Sequence, residues 1–134
     1  MGAFVLVLAL WTPTKPHELA PDTPWQALLR THFDAQARPV YPDTLEALDG
    51  QDIRLSGFMM PIESGTLQRH FLLMAYPPSC HFCVSGGPAS TIEVISEGGI
   101  AYSRDPVTVS GTFRLLRTAP DGVFFRIDDA RPSL

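Results

Sequence analysis

The sequence predicts a mainly β fold, a small five-stranded antiparallel OB-like barrel preceded by one or two short helices. Three observations predict it. Two segments, 53–61 and 107–115, alternate apolar and polar residues and carry Ser-Gly at the same phase. Three more short apolar segments complete a set of five within about eighty residues, with no long helical period among them. Thirteen prolines and ten glycines in 134 residues favour short segments joined by turns.

The elements follow in chain order. Ala3 to Trp11 is an uncharged run of nine apolar residues, and no charge appears before Lys15. A bilayer span needs about twenty such residues, so the run suits the apolar core of a secretory signal. The positive flank is missing, with only Met1 and Gly2 ahead of the run, and Ala20 is a late cleavage candidate. A start upstream would supply that flank, and a buried N-terminal strand is the competing reading. Pro13, Pro16, Pro21 and Pro24 make the following stretch a linker. The division is therefore a signal-like segment and linker over 1–21 and a single OB-like domain over 22–134, in an exported or periplasmic protein.

Thr23 and Pro24 fit the N-cap and first position of a helix. Trp25, Leu28, Leu29 and Phe33 would share its apolar face, and it ends before Arg38-Pro39. Residues 41–48 read as a turn and a second short helix, closed by Asp49-Gly50.

Ile53, Leu55, Gly57 and Met59 fall on one face of the first strand; Val107, Val109, Gly111, Phe113 and Leu115 fall on one face of its echo. A glycine inside a strand marks a bulge, a sharp coil or another backbone close by. Arg69 to Tyr76 holds a continuous apolar run that suits a strand covered on both faces. Thr91 to Ser96 turns Ile92 and Val94 one way, and Gly122 to Asp128 does so with Val123, Phe125 and Ile127. Asp121-Gly122 marks the hairpin turn before this last strand. An open β-sandwich with helices packed on it is the alternative architecture.

Composition sets the function classes. The chain is 45% hydrophobic and 18% charged, which places it among folded domains. Ten basic residues against fourteen acidic ones give a net charge of −4. A nucleic-acid partner calls for a basic face, and a polybasic membrane surface calls for the same, so both are excluded. Any membrane contact is then through an N-terminal signal or anchor. No phosphate-cradling glycine loop or nucleophile elbow is present.

The chemistry concentrates in the stretch Tyr76 to Pro88, where Pro77-Pro78 lead in and Gly86-Gly87-Pro88 lead out. It carries Cys80 and Cys83, the chain's only two cysteines, with His81 between them. Three readings compete. Two thiolates at Cys-x-x-Cys spacing can face one ion from a tight turn, with His81 adding a nitrogen. A closed zinc site needs four ligands, so His70, Met59, Met60 or Glu63 would have to contribute; thioether and thiolate donors would favour copper. Alternatively the pair exchanges thiol for disulfide, although Val84 to Pro88 is a poor start for the helix that activates a thioredoxin-like thiol. The third reading is a local structural disulfide in a protein-interaction module, with Phe58, Met60 and Phe124 as its contact face.

These residues also carry a resemblance. Leu48-Asp49-Gly50-Gln51, Ile53 to Pro61 with Gly57 and Pro61, Phe71 to Pro77, Ser79 to Cys83, Gly86-Gly87-Pro88 and Thr91 to Val94 together resemble a bacterial exported family of domains of unknown function, family 3299. Some of its members carry Cys-x-His before a proline run; here position 82 is Phe and the imidazole comes at His81. The resemblance implies an exported OB-like domain with a functional cysteine loop and supplies no reaction. The chain has no lipobox cysteine. The combined expectation is a periplasmic binding module that takes zinc or copper through Cys80, Cys83 and His81, with His70 and Met59 as further ligands and a protein partner in the cell envelope.

Overall fold

The structure, a computed structural model, describes residues 25–77, 89–117 and 122–133. The elements run α1 (Trp25–Leu29), β1 (His32–Phe33), β2 (Pro39–Val40), α2 (Asp43–Glu46), β3 (Asp52–Pro61), β4 (Leu67–Met74), β5 (Thr91–Ala101), β6 (Val107–Leu115) and β7 (Phe125–Pro132). Strands β3-β4-β5-β7-β6 form a closed barrel, with β6 returning to β3. This is the OB-like arrangement the alternation predicts.

The barrel is not wholly antiparallel. β5 and β7 pair in parallel through Glu93↔Arg126 and Val94↔Ile127. A meander would have left the last strand beside β6 alone; closing a five-stranded barrel slots β7 between β6 and β5, and β5 then runs the same way.

The two echoing segments pair with each other. Ile53 lies opposite Gly111, Leu55 opposite Val109 and Gly57 opposite Val107. Each glycine is needed for the reason its position suggests. A β-carbon on Gly111 would stand 2.6 Å from the Asp128 carbonyl oxygen and 2.5 Å from Ile127 Cγ2. The register shifts there, between Ser110 and Thr112, and Asp129 opposite takes a positive φ of 51°. This bulge turns β7 so that it can serve two neighbours.

Alternation decides what fills the barrel. Ile53, Leu55 and Met59 of β3, Val109, Phe113 and Leu115 of β6, and Phe125 and Ile127 of β7 are buried. Phe113 and Phe125 stack with ring centres 6.0 Å apart. The double-sided cover expected for 69–76 does not hold. In β4, Gln68, Phe71 and Leu73 are buried while Leu72 and Met74 stay half-exposed, because a closed barrel has one inside. β5 runs on to Ala101, beyond the expected end at Ser96. Ser96 is buried, and its hydroxyl donates to the Ala130 carbonyl at 2.6 Å. β7 begins at Phe125, leaving Val123 ahead of it.

The long first helix is also corrected. α1 ends at Leu29, and His32 and Phe33 pair instead with Val40 and Pro39 as a two-stranded ribbon. Asp34 explains the stop. Its carboxylate accepts the N–H groups of Gln36 and Arg38, both at 2.9 Å, offering the backbone a turn in place of another helical turn. The Arg38 N–H in particular holds the Asp34 carboxyl below its ordinary range.

The N-terminal elements cap one barrel end. Leu28 and Leu45 are fully buried in the common core. Tyr41 donates its hydroxyl to the Leu116 carbonyl at 2.6 Å, with the Phe124 carbonyl at 3.2 Å, and its ring lies 5.9 Å from Phe125. Arg117 stacks over the Tyr41 ring and grips both oxygens of Glu46 at 2.9 and 2.7 Å. Tyr41→Phe is expected to cost about 1 kcal/mol, the worth of one such hydrogen bond, read from a urea melt. Burial pushes the Tyr41 hydroxyl up to about 12. The unfolded chain ionises this group near pH 10, so its stabilising effect is full below about pH 10 and is lost as pH rises towards 12. The wild type is therefore expected to lose more stability over that interval than Tyr41→Phe does.

Candidate functional site: the root of the cysteine connection

Topology places the cysteine connection. β5 and β7 start at the same barrel end because they are parallel, and antiparallel pairing brings the ends of β4 and β6 and the start of β3 there too. The β4–β5 connection, which carries the cysteines, thus leaves the barrel at the end that the N-terminal elements cap. Cys80, His81 and Cys83 lie outside the described residues, as do Pro78, Ser79 and Val84 to Pro88.

The root of that connection is firmly made. Met74 pairs with Thr91, and the Ala75 N–H then donates to the Ser90 carbonyl at 3.0 Å. Ala89 and Ser90 are buried on the return side. On the neighbouring strand, Phe58 lies opposite Met74. Gly57, one residue earlier, makes room for three groups at once. A β-carbon there would stand 2.6 Å from the Met74 carbonyl oxygen, 3.0 Å from Leu73 Cγ and 3.2 Å from Trp25 Cζ2. Trp25 is fixed over this spot by its indole N–H, which donates to the Ser56 carbonyl at 2.7 Å. The glycine in 53–61 signalled a bulge, a sharp coil or a close approach, and the last is what the structure shows; nothing in the sequence signalled that Trp25 was a neighbour.

The other predicted ligands have distinct positions. His70 sits on the outer face of β4, its Nε2 2.8 Å from Glu93 Oε2 on β5. Leu72 is the residue directly opposite Glu93, so the pair is diagonal across the hairpin. His70 is four residues before Met74, about 13 Å along the strand from the root at ~3.3 Å per residue. Glu93 is a partner that the sequence reading missed. It stands at the polar phase of an alternating strand, which signals an outward carboxylate without saying what it meets.

Met59 points inward and is 3% exposed, packed in the barrel core, whereas Met60 is turned out and 43% exposed. Glu63 serves the β3–β4 turn. One of its carboxylate oxygens accepts the N–H groups of Arg69 and His70, both at 2.9 Å, where the register slips between Gln68 and His70. Gln68, fully buried, donates to the carbonyls of Glu63 and Gly65 and closes the same turn. Among the described residues, no three His, Cys, Asp or Glu side chains gather as a metal site. Of the suggested contact face, Phe58 is half-buried at the root, and Phe124 packs on Phe33 with ring centres 5.1 Å apart.

Comparison with known proteins adds the lineage. A crystal structure of a DUF3299 family protein from Pseudomonas aeruginosa PAO1 matches with a TM-score of 0.50 and 20% identity, over 72% of this chain and 68% of that chain. At that identity the likeness speaks for the fold. No curated protein matches the chain. The family model described as protein of unknown function (DUF3299) matches residues 18–122. The shared fold and this match over most of the domain give the conclusion that the chain belongs to the DUF3299 family.

Proposed function

We propose that this protein is a small exported binding module whose Cys80 and Cys83 bind a transition metal, zinc or copper, as an accessory to metal handling in the cell envelope. The observation that carries the reading is the closed root of the β4–β5 connection, combined with the thiolate spacing within it. The Met74↔Thr91 pair and the Ala75–Ser90 hydrogen bond give both ends of the connection a fixed origin on a closed barrel. Ligands on a rigidly rooted connection lose less freedom on binding than ligands on an open chain. The described residues already bury a core of eighteen apolar residues, and a chain of this length folds without needing a metal or disulfide, which leaves the cysteines free for another role.

The ligand set begins with Cys80 and Cys83, with His81 next. His70 belongs to a wider set, and the Glu93 carboxylate on its Nε2 is the kind of outer partner that orients a ligating imidazole. The uncharged apolar run at residues 3–11 supports export followed by work in the envelope, where a protein partner would deliver or receive the metal.

The test is metal content after reduction and incubation with zinc or Cu(I). The wild type is expected to retain close to one equivalent of one of them, and Cys80→Ser/Cys83→Ser to retain none. Equal, substoichiometric metal in the two proteins overturns the reading. A thiol–disulfide exchange protein would instead show no retained metal and a thiolate forming well below the ordinary cysteine range near pH 8.5.

A further inference from the structure

We propose that the outer face of β3, β4 and β5 is a docking surface for an amphipathic helical segment of a partner protein, one whose apolar stripe is flanked by basic residues. No property of the cysteines enters this assignment.

The barrel wall changes character along β3. Where β3 pairs with β6, its outward residues are Asp52, Arg54 and Ser56. Where it turns to β4, they are Phe58 and Met60. Register carries the change across the sheet. Phe58 lies beside Met74, Met60 beside Leu72, and His70 beside Ile95. Met60 is 43% exposed, and Phe58, Leu72, Met74 and Ile95 are half-buried. Ile62, just past β3, and Leu67, at the start of β4, are 54% and 49% exposed and extend the face to the barrel end away from the cap. A closed barrel needs apolar residues on its inside only, so this second apolar face answers to something other than the barrel core. The ion pair within it, His70 with Glu93 at 2.8 Å, is already satisfied, so covering the face strands no lone charge.

Size and charge select the occupant. The eight-residue β4 gives the face a length of about 23 Å, and three strands give it a width of about 14 Å, at ~3.3 Å per residue and ~4.8 Å between strands. That footprint, about 300 Å², is well under the ~800 Å² per partner of a standard interface, so it does not serve a second copy of the domain. It matches one helix about 10 Å across, with about fifteen residues at ~1.5 Å each lying along it. A helix stripe laid on an apolar sheet face buries both surfaces at once. The charges give the sign. Glu93 and Glu97 point outward on β5 and Glu63 stands at the β3–β4 turn, against Arg69 and a His70 already paired. Such an acidic border favours lysine or arginine beside the helix's apolar stripe and repels an anionic lipid surface.

The experiment titrates the full chain into fluorescein-labelled peptides of about fifteen residues, read by anisotropy. One is a leucine/lysine helix with leucines at i, i+3 and i+4 spacing; the second carries glutamate for lysine; the third is a scramble of the first with the same composition. The leucine/lysine helix is expected to bind, and the other two to bind about tenfold more weakly. Met60→Gln/Leu72→Gln is expected to weaken that binding about tenfold, while Thr108→Gln, on the polar wall beside Ser56, leaves it unchanged. Equal binding by the wild type and the Met60→Gln/Leu72→Gln variant overturns the assignment. So does a wild type that does not prefer the leucine/lysine helix to its scramble.

Methyl nuclear magnetic resonance on the unaltered chain covers the case in which the double variant does not fold. The leucine/lysine peptide is expected to shift the methyl signals of Met60, Leu72, Met74 and Ile95; shifts confined to other residues overturn the assignment. Sedimentation and flotation with phosphatidylglycerol vesicles separate the other occupants. A dimer that Met60→Gln/Leu72→Gln dissolves, or vesicle binding that the same variant abolishes, gives the face to a second copy or to lipid and overturns the helical partner.

Discussion

Phe113→Ala is expected to cost about 3–5 kcal/mol, the usual loss for emptying a large aromatic site in a core. Phe113 is fully buried in β6 and stacks on Phe125, which in turn meets Tyr41. The cavity would therefore open at the junction between the barrel and its N-terminal cap. Strands of a closed barrel cannot collapse into a void without breaking register, so little of the loss is recovered by relaxation. A domain of this size has about 5–15 kcal/mol to lose, so the variant should melt far below the wild type in urea with a similar slope. A loss under about 1 kcal/mol would mean that the barrel interior is not packed as described.

Gly111→Ala is expected to cost about 2–3 kcal/mol, at the upper end of overpacking penalties. The added carbon would meet the Asp128 carbonyl oxygen at 2.6 Å and stand 3.1 Å from the Ala130 Cα, both of them backbone atoms that no rotamer change can move. Relief requires β6 and β7 to separate at the bulge, and the Ser96–Ala130 hydrogen bond that ties β5 to β7 lies in the path. Thermal unfolding reads the loss. The comparison with Gly98→Ala is informative, because a β-carbon on Gly98 meets nothing within 4 Å. Equal effects at the two positions would contradict the bulge.

Much of this architecture was legible because alternation is a local property. Residues 107–115 form a strand with the limits the pattern gave, and every apolar position assigned inward on 53–59 is buried. The glycines were legible as a bulge, a sharp coil or a close approach: Gly111 lies at a bulge, and both Gly57 and Gly111 have backbone atoms close by. The parallel β5·β7 pair was not legible, because no local pattern distinguishes a strand's neighbours. The ribbon of β1 and β2 was not legible either. Phe33 fits a helical period from Trp25, and the competing Asp34 turn is worth more only once Phe124 is there to cover Phe33.

The candidate site divides in the same way. The thiol pair is a reading from spacing alone, and it lies outside the described residues. His70 was visible as a nearby imidazole, but Glu93 became its partner only through the β4·β5 register, and Trp25 reached the root only through the folding of α1 onto β3. Met59 shows the converse. Its side chain type suggested a soft ligand, while its phase on β3 sends it into the core with Leu55 and Ile53.

The central claim, that Cys80 and Cys83 bind one metal ion from the rooted connection, is tested most directly by X-ray absorption at the zinc edge on reduced, zinc-loaded protein. Two sulfur atoms at about 2.3 Å from the metal, with nitrogen or oxygen completing four ligands, is the predicted result. A first shell of nitrogen and oxygen alone would contradict it.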